Sequence, residues 1–83
     1  MLNPKTLDQI EDEVLRSWSK HGDNAMINPA LPVMDRLAIL GEEFGEVCKA
    51  LTYDNKDPKE LRKELIQLAT MAACWADVLP EED

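Results

Sequence analysis

The sequence VMDRLAILGEEFGEVCKAL, residues 33–51, decides the fold of this chain. Its apolar side chains recur every three or four residues, which is the period of an α-helix with one face against a core. That face comprises Leu37, Leu40, Phe44, Val47, Cys48 and Leu51. The pattern predicts a helix from about Val33 to Tyr53.

An earlier helix is predicted from a proline start and a glycine stop. Asn3-Pro4 offers a cap followed by a first-turn proline, and the helical pattern runs to about Lys20 before Gly22 ends it. Thr6 with Gln9, at capping-box spacing, is an alternative start. The apolar residues at helical spacing are Leu7, Ile10, Val14, Leu15 and Trp18.

A third helix follows a second capping signal. Asp57-Pro58 with Glu60 predicts its start, and Pro80 limits its end to about Leu79. Its main apolar stripe contains Leu61, Leu65, Leu68, Ala72 and Leu79. Residues 21–32 are too rich in glycine, proline and asparagine for a helix, and a connection of that length is often functional or mobile. No segment alternates with period two, so we predict a single all-α domain, residues 1–83, built as a small bundle of three main helices.

Length and charge restrict the class of protein. A chain of 83 residues has a small core, which oligomerisation commonly supplements. Its 17 acidic and 9 basic residues give a net charge of -8, which disfavours nucleic acid polymers as partners. The sequence shows no secretory signal, membrane-length apolar run or CxxC motif. We therefore expect a cytoplasmic protein without a membrane partner, with Cys48 and Cys74 reduced and packed in the core.

Carboxylates fall beside the apolar faces of the second and third helices. Glu43 lies at the margin of the face on the second helix and Glu46 one position farther round, so this i, i+3 pair can converge on one point. Glu42 points nearly opposite the core. On the third helix Glu64 has Gln67 beside it and shares a stripe with Met71, Trp75 and Val78.

Two interpretations of these carboxylates are open. Facing carboxylates from two helices would form an oxygen-rich pocket suited to Mg²⁺ and, through it, to phosphates. Alternatively the acidic faces are simply solvated, or their carboxylates pair with basic side chains, for which Arg36, Lys49, Arg62 and Lys63 are the candidates.

The segments RLAILGEEFGEVCKAL (36–51) and LRKELIQLATMAACW (61–75) resemble the MazG-like all-α nucleoside triphosphate pyrophosphohydrolases, whose hallmark is EExxE followed by ExxD. The resemblance covers most of the chain and includes a weaker match around Trp18. It implies hydrolysis of (deoxy)nucleoside triphosphates to the monophosphate and pyrophosphate with Mg²⁺ or Mn²⁺. It also implies a four-helix-type assembly, completed here by a homodimer or homotetramer.

The resemblance assigns roles to particular residues. Glu43, Glu46 and Glu64 become metal ligands, and Glu42 becomes a further catalytic member of the first motif. Gln67 stands where the family pattern has Asp, and its amide oxygen can ligate a hard cation without adding charge. For substrate binding we expect Trp18 to contact the base and Lys20 and Lys49 to contact phosphates. An alternative function from another class is a catalytically inactive acidic interaction or regulatory module.

Overall fold

A computed structural model describes residues 1–52 and 57–81. These residues form helices α1 (Pro4–His21), α2 (Val33–Thr52) and α3 (Pro58–Asp77), with a 3₁₀ turn at Gly22–Asn24. No strand occurs in the two described ranges, and none of the helices there is long and apolar enough to cross a membrane. The all-α prediction with three main helices is confirmed, while Tyr53 lies outside the described residues.

The helix ends follow local capping chemistry. The side-chain oxygen of Asn3 accepts a hydrogen bond from a backbone N–H in the first turn of α1 at 2.9 Å, and Asp57 does the same for α3 at 3.0 Å. Gly22 ends α1 with φ +53°, a left-handed conformation that glycine adopts without strain. The start of α1 at Asn3-Pro4, rather than at Thr6, is therefore established.

Helix α3 is the central helix of the bundle. It packs against both α1 and α2, whereas no Cα atoms of α1 and α2 in the described ranges come within 8 Å of each other. Arg62 of α3 also donates hydrogen bonds to the Thr6 hydroxyl at 3.1 Å and the Gln9 amide oxygen at 2.7 Å. The space between α1 and α2 is consequently open, and α3 forms its floor.

The core joins α3 to the loop that precedes α2. Its buried cluster contains Met26 and Leu31 from the loop and Met71 and Cys74 from α3. Partly buried apolar side chains pack around it, namely Val14, Ile27, Ile39, Leu40 and Trp75. The loop at 21–32 is thus part of the core, and the prediction that Cys74 is packed there is confirmed.

The predicted apolar face of α2 is wrong for most of its members. Leu37, Phe44 and Leu51 are 52%, 58% and 41% exposed, and Cys48 is exposed as well. Val47, which lies next to the inward side, is buried. Ile39 and Ala50, which are not members of the predicted face, face inward instead. The physical reason is that α2 carries two apolar stripes, and α3 covers the one that holds Ile39 and Ala50.

In helices α1 and α3, too, the buried face differs from the predicted one. Leu65, Ala72 and Leu79, from the predicted main stripe of α3, are exposed, whereas the neighbouring stripe with Glu64, Met71 and Cys74 is buried. On α1 the exposed members of the predicted face are Leu7, Leu15 and Trp18. The bundle therefore buries the stripe of α3 that carries a carboxylate, while the more apolar stripe is only half-buried at Leu61 and Leu68 and exposed elsewhere.

Candidate functional site

A cleft of about 1090 Å³ opens between α1 and α2, over α3. All three helices contribute side chains to its lining. Helix α2 supplies Glu42, Glu43 and Glu46, and α3 supplies Gln67. The cleft thus brings together residues of both sequence motifs, which are far apart in the chain.

The carboxylates differ in their access to water. Glu42 and Glu46 are exposed at the cleft wall, and Glu43 is half-buried between them. Glu64 is 8% exposed and is not among the residues that line the cleft, but it is close enough to act electrostatically on Glu43. The order from solvent inward is therefore Glu42 and Glu46, then Glu43, then Glu64.

Glu43 is the carboxyl group of the cleft whose pKa is raised by its surroundings. Burial raises the pKa of its carboxyl above the usual range, and repulsion from Glu64, Glu42, Glu46 and Glu13 raises that pKa further. Its Oε2 atom is buried and has no hydrogen-bond partner among the described residues. A carboxylate in this position is stabilised by a proton or by a cation, since either neutralises charge that water reaches only in part.

An ion pair on α1 faces this carboxylate. The Arg16 Nε donates to both oxygens of Glu13, at 2.7 and 2.6 Å. The hydrogen bond to Glu13 raises the pKa of Arg16, desolvation opposes that change, and the charges of Glu13 and Glu43 add to it. Sequence reasoning missed this pair, although its i, i+3 spacing on a helix is a recognisable signal.

Basic side chains collect at the same cleft. Five of the nine lysines and arginines line it, namely Arg16, Lys20, Lys59, Arg62 and Lys63. In a chain with a net charge of -8 this concentration gives the cleft both an acidic wall and cationic side chains. Lys20 lies there as expected from the sequence, whereas Lys49 and Trp18 are not among the described lining residues.

Three of the four basic side chains named as candidate ion-pair partners have contacts with other groups. Arg36 donates to backbone carbonyl groups, and Arg62 donates to side chains of α1. The Nζ atom of Lys63 lies 3.9 Å from Oε1 of Glu60 in the first turns of α3. None of these three contacts involves the half-buried carboxylate of Glu43.

The donor set is of the kind that Mg²⁺ or Mn²⁺ binds in proteins. Glu43 and Glu46 offer carboxylate oxygens, Gln67 offers an amide oxygen, and the cleft contains no thiolate ligand among its described lining residues. Over the described ranges, however, no three His, Cys, Asp or Glu side chains converge as a ready-made metal site. The chemistry of the donors fits a hard cation, and the side chains would have to draw together around it.

Comparisons with models of protein families, with curated proteins and with solved structures find no match to this chain. The cleft and the two motifs that meet there are therefore the features from which a function can be inferred.

Proposed function

We propose that the protein hydrolyses (deoxy)nucleoside triphosphates to the monophosphate and pyrophosphate in a reaction that depends on Mg²⁺ or Mn²⁺. The observation that carries the proposal is the half-buried carboxylate of Glu43, which has an unsatisfied oxygen and a raised pKa inside a cleft that also holds five cationic side chains. The resemblance of both acidic motifs to the MazG-like pyrophosphohydrolases supports the same reaction. A cytoplasmic location, where nucleoside triphosphates are made and used, is part of this proposal.

Under this proposal Glu43, Glu46 and Glu64 hold the cation, and the amide oxygen of Gln67 supplements them. A bound divalent cation neutralises charge that develops on the phosphate oxygens during hydrolysis. These donors come from both α2 and α3, which pack side by side, so a cation bound by all of them would draw the two helices' side chains together.

The remaining cleft residues bind and orient the substrate. Lys20, Lys59 and Lys63 are positioned along the cleft to attract the triphosphate. Glu42, exposed at the wall, orients the attacking water and accepts its proton as the water oxygen bonds to the α-phosphorus. The bond from that phosphorus to the α,β-bridging oxygen breaks, and pyrophosphate leaves with the electron pair.

The test is a panel of canonical and modified nucleoside triphosphates with Mg²⁺, in which pyrophosphate and orthophosphate are measured separately. We expect pyrophosphate, and at least about a 100-fold loss of rate in Glu43→Gln, Glu46→Gln and Glu64→Gln, because each removes a charged ligand without much change of shape. Asp8→Asn is the matched control, since Asp8 is exposed on α1 and is not a described lining residue. Release of orthophosphate alone, or variants with normal helicity and full activity, would overturn the proposal.

Metal binding has a readout that needs no turnover. Added Mg²⁺ should raise the melting temperature of the parent protein because it relieves the repulsion around Glu43. The rise should be absent in Glu43→Gln and preserved in Asp8→Asn. Equal rises in all three proteins would show that Mg²⁺ acts outside the cleft.

We also infer self-association into a homodimer, or a tetramer built from dimers. The exposed apolar side chains of α2 form one outward surface, comprising Met34, Leu37, Phe44 and Leu51. Contiguous apolar surface of this kind commonly marks a protein interface, and a two-fold dimer would cover it on both copies. Phe44→Glu should lower the mass in light scattering, with Leu79→Glu as control, and a parent that stays at 9.4 kDa at micromolar concentration would refute the inference.

A second candidate is a catalytically inactive interaction or regulatory module. Two observations favour it: the outward apolar surface of α2, and the lack of three converged acidic ligands within the described ranges. It predicts no pyrophosphate release from any triphosphate and no thermal shift with Mg²⁺. The two experiments above therefore separate the candidates.

A further inference from the structure

Arg36 is a charged side chain in the interior of the protein. It lies in the first turn of α2 and is 2% exposed. Its Nη1 donates to the Met26 carbonyl at 2.5 Å, its Nη2 to the Asn28 carbonyl at 2.5 Å, and its Nε to the Leu31 carbonyl at 3.1 Å. Every nitrogen of the guanidinium thus binds the backbone of one loop.

The loop at residues 25–31 is also held by its buried side chains Met26 and Leu31 and by local hydrogen bonds, one of them from the Ala30 N–H to Oδ1 of Asn28 at 3.1 Å. It contains two backbone turn bonds, from the Asn28 N–H to the Ala25 carbonyl at 3.0 Å and from the Leu31 N–H to the Asn28 carbonyl at 3.1 Å. The side chain of Asn28 adds a bond to the Asp23 carbonyl at 2.7 Å. Arg36 ties three separate points of this loop to α2, which the local turns alone do not do.

The same loop forms part of the cleft. Met26 is 1% exposed, packs in the core cluster with Met71, and lines the cleft together with Met71 and Ile39. These three side chains make one region of the cleft apolar, in contrast to its charged walls. Arg36 is not itself a described lining residue, so any effect on the cleft passes through the loop.

We propose that Arg36 is a positioning residue of the cleft: its guanidinium fixes the loop at 25–31 so that Met26 completes the apolar region where the base of a nucleotide lies. The placement of the base rests on the function proposed above, whereas the role of Arg36 in holding the loop does not. Arginine suits the task because its planar fork directs donors to several acceptors at once, whereas lysine presents one ammonium group.

The first experiment measures the loop without any substrate. Cys74 is buried against Met26 and Leu31, whereas Cys48 is exposed, so Cys48→Ser leaves Cys74 as the only thiol. In that background Arg36→Lys, which keeps the positive charge, should raise the rate at which Cys74 reacts with a disulfide reagent by at least about tenfold. Arg62→Lys is the matched control and should leave the rate unchanged, because Arg62 binds side chains of α1.

Hydrogen exchange distinguishes local release from general instability. In Arg36→Lys the amides of Asn28 and Leu31 should exchange faster while those in the middle of α3 keep their parental rates. Uniformly faster exchange, or unchanged Cys74 reactivity and loop exchange, would overturn the claim that Arg36 holds the loop.

The second experiment compares two ligands at equilibrium in the presence of Mg²⁺: an adenosine triphosphate analogue with a methylene group in place of the α,β-bridging oxygen, which cannot be cleaved there, and inorganic tripolyphosphate. Arg36→Lys should weaken the nucleotide by about tenfold and leave tripolyphosphate unchanged, because only the apolar region is altered. In turnover the same change should raise KM and leave kcat within about threefold. Equal weakening of both ligands, or no weakening of either, would overturn the positioning role of Arg36.

The outcomes for the two proposals are separable. A parent that binds nucleotide but releases no pyrophosphate refutes the proposed hydrolysis and leaves the role of Arg36 intact. If the parent protein binds no nucleotide at all, the placement of a base at the apolar region is refuted, even where Arg36→Lys releases the loop.

Discussion

Each half of helix α2 carries a charged side chain that is at least partly buried, and the two side chains differ in their hydrogen bonding. Near the start of the helix the guanidinium of Arg36 is buried and makes three hydrogen bonds to backbone carbonyl groups. Two turns later the carboxylate of Glu43 is half-buried, with an oxygen that has no hydrogen-bond partner in the described ranges and a pKa that is raised by burial and by its neighbours.

The difference separates a charge whose hydrogen bonds are complete from one whose hydrogen bonds are incomplete. A buried charge whose hydrogen bonds are complete contributes to the native fold, and removing it leaves its acceptors unsatisfied. A partly buried charge whose hydrogen bonds are incomplete destabilises the fold until a proton, cation or ligand neutralises it. On this basis, substitution of Arg36 should be harmful to stability and neutralisation of Glu43 should not.

The largest expected effect is on stability at Arg36. Arg36→Met removes the donors to three loop carbonyl groups and should lower the free energy of unfolding by about 3–5 kcal/mol. Urea denaturation measures it, and Arg62→Met, which removes a more exposed arginine, should cost less than about 1 kcal/mol. A loss at Arg36 no greater than that at Arg62 would break the comparison between the two halves of α2.

A smaller effect of opposite sign is expected at Glu43. Because its folded-state pKa is raised, its protonated form favours folding below the usual pKa of a glutamate, and this contribution is lost as pH rises through the folded-state pKa. Glu43→Gln should therefore be more stable than the parent at pH 7, by at most about 1 kcal/mol since the group is only half-buried. Melting curves of both proteins at several pH values check this.

The stability advantage of Glu43→Gln should shrink as pH falls toward 4.5, the ordinary value for this carboxyl. Asp8→Asn provides the control for a change of one charge on the surface. An advantage that stays constant over pH would mean that packing, rather than ionisation, distinguishes glutamine from glutamate there.

The smallest expected effect is a change in the Mg²⁺ requirement when Gln67, which lies in the cleft with Glu43, is replaced. Gln67 is half-buried at the cleft, one turn from Glu64, and Gln67→Asp adds one negative charge to the donor set. We expect half-maximal activity at a several-fold lower Mg²⁺ concentration, because charged ligands bind Mg²⁺ more tightly than amides. Superimposable titrations of parent and variant would place Gln67 outside the ligands of the cation.

Features that depend on local chemistry were predictable from the sequence. Asn3 and Asp57 cap their helices, and Gly22 ends α1, since each acts on backbone groups a few residues away. The lack of period-two alternation also predicted the absence of strands, which is confirmed for residues 1–52 and 57–81. Glu64 and Met71 share one stripe of α3, as predicted, but this stripe is the buried one and not the neighbour of the buried one.

Features that depend on which surfaces meet were not predictable. Leu37 and Phe44 form as plausible an inner face as Ile39 and Ala50, and only the approach of α3 decides between them. The environment of Arg36 was equally hidden, because its acceptors are backbone carbonyl groups of a folded loop and these have no signature in the sequence. The i, i+3 pair of Glu13 and Arg16 was visible, but nothing indicated that it faces Glu43.

The central place of α3 has a consequence for the order of folding during translation. Helices α1 and α2 leave the ribosome first, and within the described ranges neither packs directly on the other. Isolated helices of their length are marginal in water, so the nascent chain gains no stable tertiary structure until α3 has emerged. Folding of this helical unit is therefore expected to be an all-or-none event that waits for α3, rather than a gradual growth from α1 onward.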